Sequence, residues 1–269
     1  MTSQPAKPLS GRAVVVTRAR AQAMDFVSEL ENYGARVLIC PTIEITELEN
    51  YERLDEAINH LYGYDWIIFT STNGVEYFLR RFKSGGFELS NLDELRVCAI
   101  GDATEARLRD EHVHVDIVPR DFKAEGVFAA LEQFVGGREA LDGLNVLLPR
   151  AASGRDFLPR ALAEAGARVD VVPVYRTVMP ENLDRGRVAA LLAGGADCIA
   201  FTSSSSVRNL AQLFDTSDLS EVLFGVVVAC IGDVTATTAA EHGLSAEILP
   251  EQSTTTALAR AIASYFGNT

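Results

Sequence analysis

Two stretches 132 residues apart constrain this chain more than anything else in it. ARVLICPTIEI at 35–45 and ARVDVVPVYRT at 167–177 open alike and carry a proline at the same place, Pro41 and Pro173. Four valines surround Pro173. They predict a strand that ends at Val172, turns at the proline and runs on extended through Tyr175, because proline removes a ladder donor and holds its neighbour extended. The same offset relates GRAVVVTRAR at 11–20 to GLNVLLPRAA at 143–152, and FTSTNGV at 69–75 to FTSSSSV at 201–207. AIGDATEA at 99–106 and CIGDVTAT at 230–237 stand 131 apart, as do VPRDFKAEGVFAAL at 118–131 and LPEQSTTTALARAI at 249–262. This is an internal duplication. Copies of about 130 residues are too long for a solenoid repeat and are the size of ordinary domains, so two similar domains are expected.

Within the first copy, apolar runs and helical spacing alternate. Val14–Thr17 reads as a strand, Met24, Val27, Leu30 and Tyr33 as one face of a helix stopped by Gly34, and Val37–Cys40 as the next strand. Helices then follow through Leu54, Ile58 and Leu61 and through Val75, Phe78 and Leu79, with strands at 66–69, 97–100 and 113–118 and further helices at 103–110 and 125–134. The second copy repeats the strands at 145–148, 169–172, 198–201, 227–231 and 246–249, after a glycine-marked boundary between Gly136 and Gly143. Five strands alternating with helices imply an α/β fold: two flavodoxin-like domains, each a parallel sheet covered on both faces. Such sheets bind ligands beyond the carboxyl ends of their strands.

The residues at those ends share a chemistry. In the first copy they are Thr17, Arg18 and Arg20, then Thr70, Ser71, Thr72 and Asn73, then Gly101 and Thr104, with Arg120 and Lys123 further on. In the second they are Arg150 and Arg155, then Thr202 with Ser203, Ser204, Ser205 and Ser206, then Gly232 and Thr235, and Ser253 to Thr255. Each hydroxyl alone reads as a helix N-cap. Their repetition in both copies points to anion binding, since helix N-termini offer amide donors and a favourable dipole. Two such mouths facing each other would clamp an elongated ligand bearing many carboxylates.

Several function classes are disfavoured. A net charge of −13 argues against nucleic acid. No run approaches the ~20 apolar residues of a membrane span, and MTSQPAKPLSG has neither the charge nor the apolar core of an export signal, so a cytoplasmic protein is expected. Cys40, Cys98, Cys198 and Cys230 lie in apolar runs without ligand spacing, and His112 and His114 have no third ligand, so no metal is expected. Neither G-x-G-x-x-G, a P-loop nor G-x-S-x-G occurs at a strand end.

In their order and spacing the motifs VVVTRAR, YDWIIFTSTNGVEYF, IGDAT, VLLPRAASGRDFLPRAL, VPVYRT, FTSSSSV and IGDVT resemble the uroporphyrinogen-III synthase family over essentially the whole chain. The resemblance implies cyclisation of hydroxymethylbilane, a linear tetrapyrrole with eight carboxylates, to uroporphyrinogen III, with loss of water, inversion of the last ring and no cofactor. It implies Tyr175 as the proton donor to the departing hydroxyl and Thr235 as a residue near the substrate. It also implies that the chain crosses between domains at its proline segments. One discontinuous lobe would comprise 1–40 and 177–269, one continuous lobe 44–173, and the segments near 41–46 and 172–177 would form a two-stranded connector, with Tyr175 looking into the cleft. The expected partner is the small-molecule substrate; hydroxymethylbilane synthase, which supplies it, is a candidate partner, and the protein is expected to be a monomer. Two other classes compete: a two-lobed small-molecule binding protein without chemistry, which would be expected to carry an export signal, and a two-domain glycosyltransferase, which would want a basic pair for a diphosphate.

Overall fold

The computed structural model describes residues 7–119, 124–154 and 156–267. In chain order its first half contains β1 (Ala13–Val16), α1 (Arg20–Asn32), β2 (Arg36–Ile39), β3 (Glu44–Thr46), α2 (Glu52–Asn59), β4 (Trp66–Phe69), α3 (Thr72–Ser84), β5 (Arg96–Ala99), α4 (Asp102–Asp110) and α5 (Ala124–Val135). There follow β6 (Asn145–Ala151), α6 (Phe157–Glu164), β7 (Arg168–Val178), α7 (Arg185–Ala193), β8 (Cys198–Phe201), α8 (Ser204–Phe214), β9 (Val227–Cys230), α9 (Asp233–Glu241) and α10 (Thr255–Gly267). The chain divides into two compact units, Met1–Glu44 with Val178–Thr269, and Ile45–Thr177. None of the helices is long and apolar enough to cross a membrane among the described residues.

The first unit holds a four-stranded sheet in the order β2-β1-β8-β9, with parallel ladders throughout. Its central strand β1 is buried along its whole length, which is why it reads as an unbroken apolar run. Side chains alternate across a strand, so Val15 packs with α7, α8 and α9 on one face, while Val14 and Val16 pack with α1 and α10 on the other.

The second unit holds a five-stranded sheet, β3-β7-β6-β4-β5. β4 pairs in parallel with β5 and β6, and β6 in parallel with β7. Ile67 and Phe69 face α2, α3 and α4, while Trp66 and Ile68 face α5 and α6. Strands β4 and β5 from one repeat thus share a sheet with β6 and β7 from the other, as β1 and β2 do with β8 and β9.

Three expectations need correcting. The strand through Pro173 does not stop at Val172: β7 continues to Val178, and its register against β6 shifts only between Arg150 and Ala151. The segments 113–118 and 246–249, expected as full strands, contribute one bridge each, Cys98 to Ile117 and Ala229 to Ile248. The cause is the same in both. Asp116 Oδ2 accepts from the Val97 amide at 2.8 Å and Glu247 Oε2 from the Val228 amide at 2.8 Å, so a side chain takes the place of a backbone acceptor. Pro119 and Pro250 then stop the ladder from continuing on the far side. Leu61, expected on the α2 helix, lies beyond it in a short 3-10 turn.

Candidate active site

In a parallel sheet the helices that follow the strands begin at the strands' carboxyl ends, so each unit gathers helix N-termini along one edge of its sheet. In the second unit Ser71, with extended backbone at φ −164° and ψ 155°, caps α3: its Oγ accepts from the Gly74 amide at 3.0 Å. Gly74 is buried, and a side chain there would come within 3.2 Å of the Pro149 carbonyl oxygen. Glycine therefore lets the first turn of α3, including Thr72 and Asn73, sit against the end of β6. Thr70 is half-buried just ahead of the cap.

Tyr175, on β7, is only 7% exposed and belongs to the core of this unit. Its hydroxyl is hydrogen-bonded to Ser71 Oγ at 3.3 Å. Its ring lies 5.5 Å from that of Tyr77 on α3, tilted by 35°. Tyr77 in turn packs under the Arg80 guanidinium at 4.8 Å and donates to the Ile45 carbonyl at 3.4 Å. Burial raises the Tyr77 phenol's pKa above its ordinary value, more than the Arg80 charge lowers it. Tyr77 was missed in the sequence, where the apolar face of that helix reads through Val75, Phe78 and Leu79 and nothing local marks its neighbour.

Gly101 caps α4 at φ 87°, a conformation open to glycine at little cost. Thr104, in the first turn of α4, is buried, and its amide donates to the Gly101 carbonyl at 3.0 Å. Arg150, near the end of β6, donates to Asp156 Oδ1 at 2.6 Å. Its side chain is 13% exposed, and Gly154 lies so close that a Cβ would meet the guanidinium at 3.0 Å. Arg155, Arg120 and Lys123 lie outside the described residues.

In the first unit Thr17 is fully buried and donates to the Ala200 carbonyl at 2.8 Å, which fastens the end of β1 to β8. Arg18 is half-buried and donates through Nε to the Gln22 carbonyl at 3.0 Å. Burial lowers its pKa from the ordinary arginine value, against the opposing pull of Asp25. Arg20 is exposed at the start of α1. Ser203 caps α8 at φ −163° and ψ 154°, accepting from the Ser206 amide at 3.2 Å and bonding the Ser205 and Ser206 hydroxyls at 3.1 and 2.9 Å. Ser206 is buried, whereas Ser204 donates to the Val234 carbonyl at 3.1 Å and links the starts of α8 and α9. Thr235 is 5% exposed in the first turn of α9. A pair absent from the sequence reading joins this edge: Asn209 Nδ2 donates to the Thr42 carbonyl at 2.7 Å, and the buried Thr42 hydroxyl donates to the Ser206 carbonyl at 3.2 Å.

Each sheet edge thus gathers helix starts whose amide donors suit carboxylates, α3 and α8 capped by a serine and α1, α4 and α9 without a side-chain cap, while Arg150 is already engaged by an acid of its own chain. Such a site recognises anions by geometry more than by net charge. A groove of about 630 Å³ between α5 and α6, lined by Glu125, Asp156 and Glu164 against Arg138 and Arg160, has more acidic than basic groups and suits a polyanion poorly. No group of three or more potential metal ligands occurs among the described residues. The four cysteines are buried thiols.

Comparison with known proteins bears on this geometry. Residues 24–260 match the family model described as uroporphyrinogen-III synthase HemD. The uroporphyrinogen-III synthase of Chlorobaculum parvum is 32% identical over 94% of this chain and 98% of its own. That of Synechococcus elongatus is 32% identical over 87% of this chain and 88% of its own. Among solved structures, a mutant uroporphyrinogen III synthase from the extremely thermophilic bacterium Thermus thermophilus superposes with a TM-score of 0.69 at 22% identity, covering 96% of this chain and 100% of that one, a likeness of fold.

Proposed function

Because the chain belongs to the uroporphyrinogen-III synthase family, we propose that it cyclises hydroxymethylbilane to uroporphyrinogen III, as a cyclising lyase of tetrapyrrole biosynthesis. The observation that carries the reading is the match over nearly the whole chain and nearly the whole of its relatives, which favours the synthase over a non-catalytic binding protein. The geometry supports it in kind. A substrate with eight carboxylates needs many anion sites, and both units present capped helix N-termini along a sheet edge.

The domain reading we favour is a duplicated flavodoxin-like unit whose chain exchanges at the two proline segments. What supports it is strand order. With the single bridges counted, β2-β1-β8-β9-Ile248 and β7-β6-β4-β5-Ile117 follow one pattern when each strand is numbered by its place in the repeat. Strands β3 and β7, from the segments proposed as a connector, are neighbours in the five-stranded sheet.

In the chemistry, the hydroxyl of ring A's hydroxymethyl group leaves as water and its carbon remains as the methylene of an azafulvene, ring D attacks that methylene through its own substituted carbon, and the spiro intermediate opens and re-closes. Left alone, the linear tetrapyrrole closes to the type I isomer, so the protein's work is to hold one conformation, a proximity effect. Tyr175 gives its phenolic proton to the departing hydroxyl. Thr235, Arg18, Arg20, Arg150 and Arg155 hold carboxylates together with the amides of the capped helices. The reaction needs no cofactor, and a cytoplasmic monomer meets its requirements. The test is direct: purified protein is mixed with freshly generated hydroxymethylbilane without added metal, and the oxidised products are resolved by isomer. Predominantly type III product is expected; a mixture no richer in type III than the protein-free control rejects the assignment.

A further inference from the structure

The two repeats differ most instructively beside their matching helix caps. At the 132-residue offset, Ser71 corresponds to Ser203, Tyr77 to Asn209 and Tyr175 to Ile43. The two serines adopt the same backbone conformation and cap their helices in the same way. Yet Ser203 turns its hydroxyl to Ser205 and Ser206 of its own helix, and the buried Ile43 that stands at the place of Tyr175 has no hydroxyl to offer, whereas Ser71 shares its hydroxyl with a phenol 104 residues away. A cap needs no such partner. Asn209 reaches only a backbone carbonyl, at Thr42, where Tyr77 lays its ring against Tyr175.

We infer that Ser71 is a positioning residue of the reaction: its hydroxyl fixes the Tyr175 phenol and, when the phenol has given up its proton, turns to donate to the phenolate oxygen. The inference rests on Tyr175 as the acid. In that step the phenol O–H bond breaks and leaves its electron pair on oxygen. The proton goes to the hydroxyl whose bond to carbon is breaking, and water departs. The phenolate recovers a proton that the substrate releases when the closed macrocycle regains its aromatic rings. Ser71 Oγ still accepts the Gly74 amide throughout, and the positive end of α3 favours the transient negative charge.

The experiment compares kcat and KM of wild type, Ser71→Gly, Ser71→Thr, Tyr175→Phe and the Ser71→Gly, Tyr175→Phe double variant with generated hydroxymethylbilane. Glycine is chosen because it is itself well tolerated at a helix N-cap, so the variant keeps its fold. Ser71→Gly is expected to lower kcat about 10-fold with KM changed less than about 2-fold, Ser71→Thr to restore it, and Ser71→Gly to cost nothing further in the Tyr175→Phe background. An equal loss in both backgrounds, a rise in KM alone, or an unimpaired Ser71→Gly overturns the inference while leaving Tyr175 in place. A fully active Tyr175→Phe removes the acid itself, and the inference with it.

Discussion

Burial decides what the individual side chains can do. Cys40, Cys98 and Cys230 are surrounded by apolar core, which pushes their thiols from an ordinary 9.0 up to about 11, about 12 and about 12, and Cys198 higher still. These thiols are held as neutral hydrophobes, without the depressed pKa of reactive cysteines. The sign of the linked stability follows. Above pH 9 the unfolded chain loses thiol protons that the folded chain keeps, so stability is full below that pH and falls as pH rises toward 11 to 12. The melting temperature should therefore drop between pH 8 and pH 10.5, and less steeply in a Cys98→Ala, Cys230→Ala variant than in wild type. Identical slopes would assign the alkaline loss to other groups. Tyr175 also owes its contacts to burial: the residue proposed as the acid is anchored in a core, and its hydroxyl is tied to a helix cap.

At the scale of elements, the proposed duplication supplies its own controls. α4 and α9 end in the same way, each followed two residues later by a left-handed backbone: His112 at φ 61° in one repeat and Gly243 at φ 76° in the other. A residue with a Cβ pays in that region, whereas glycine does not. His112 is exposed, so little packing would be lost. His112→Gly should raise stability by about 0.5 kcal/mol after glycine's own entropy cost is set against the relief, read as a higher urea midpoint at unchanged slope. A lower midpoint would mean that the imidazole makes a contact worth more than the strain. The caps at Ser71 and Ser203 were legible in advance, because each stands between an apolar run and a helical period, although other hydroxyls that read the same way, Thr17 and Ser204 among them, donate to the Ala200 and Val234 carbonyls instead. The short bridges at Ile117 and Ile248 were not. Asp116 and Glu247 read as ordinary polar residues of a strand, and only their geometry shows a carboxylate in place of a ladder carbonyl.

For the whole molecule, the order of the strands matters more than their number. A fragment of residues 43–178 retains β4 and β5 beside β6 and β7, with both covering layers, and should be soluble and melt cooperatively. Fragment 1–139 keeps β1 and β2 without β8, and β4 and β5 without β6; its bare apolar edges should aggregate. A cooperatively melting 1–139 beside an unfolded 43–178 would show that each repeat folds on its own. By itself the sequence determined the motifs that recur 131 and 132 residues apart, most strands and helices, the buried cysteines and the family, since these are written in composition, local period and motif order. Periodicity could not say which strands share a sheet, nor that Ser71 meets Tyr175 and Asn209 meets Thr42. Those pairings join residues more than a hundred positions apart, and local patterns carry no record of what lies across a sheet; only the packed chain decides them.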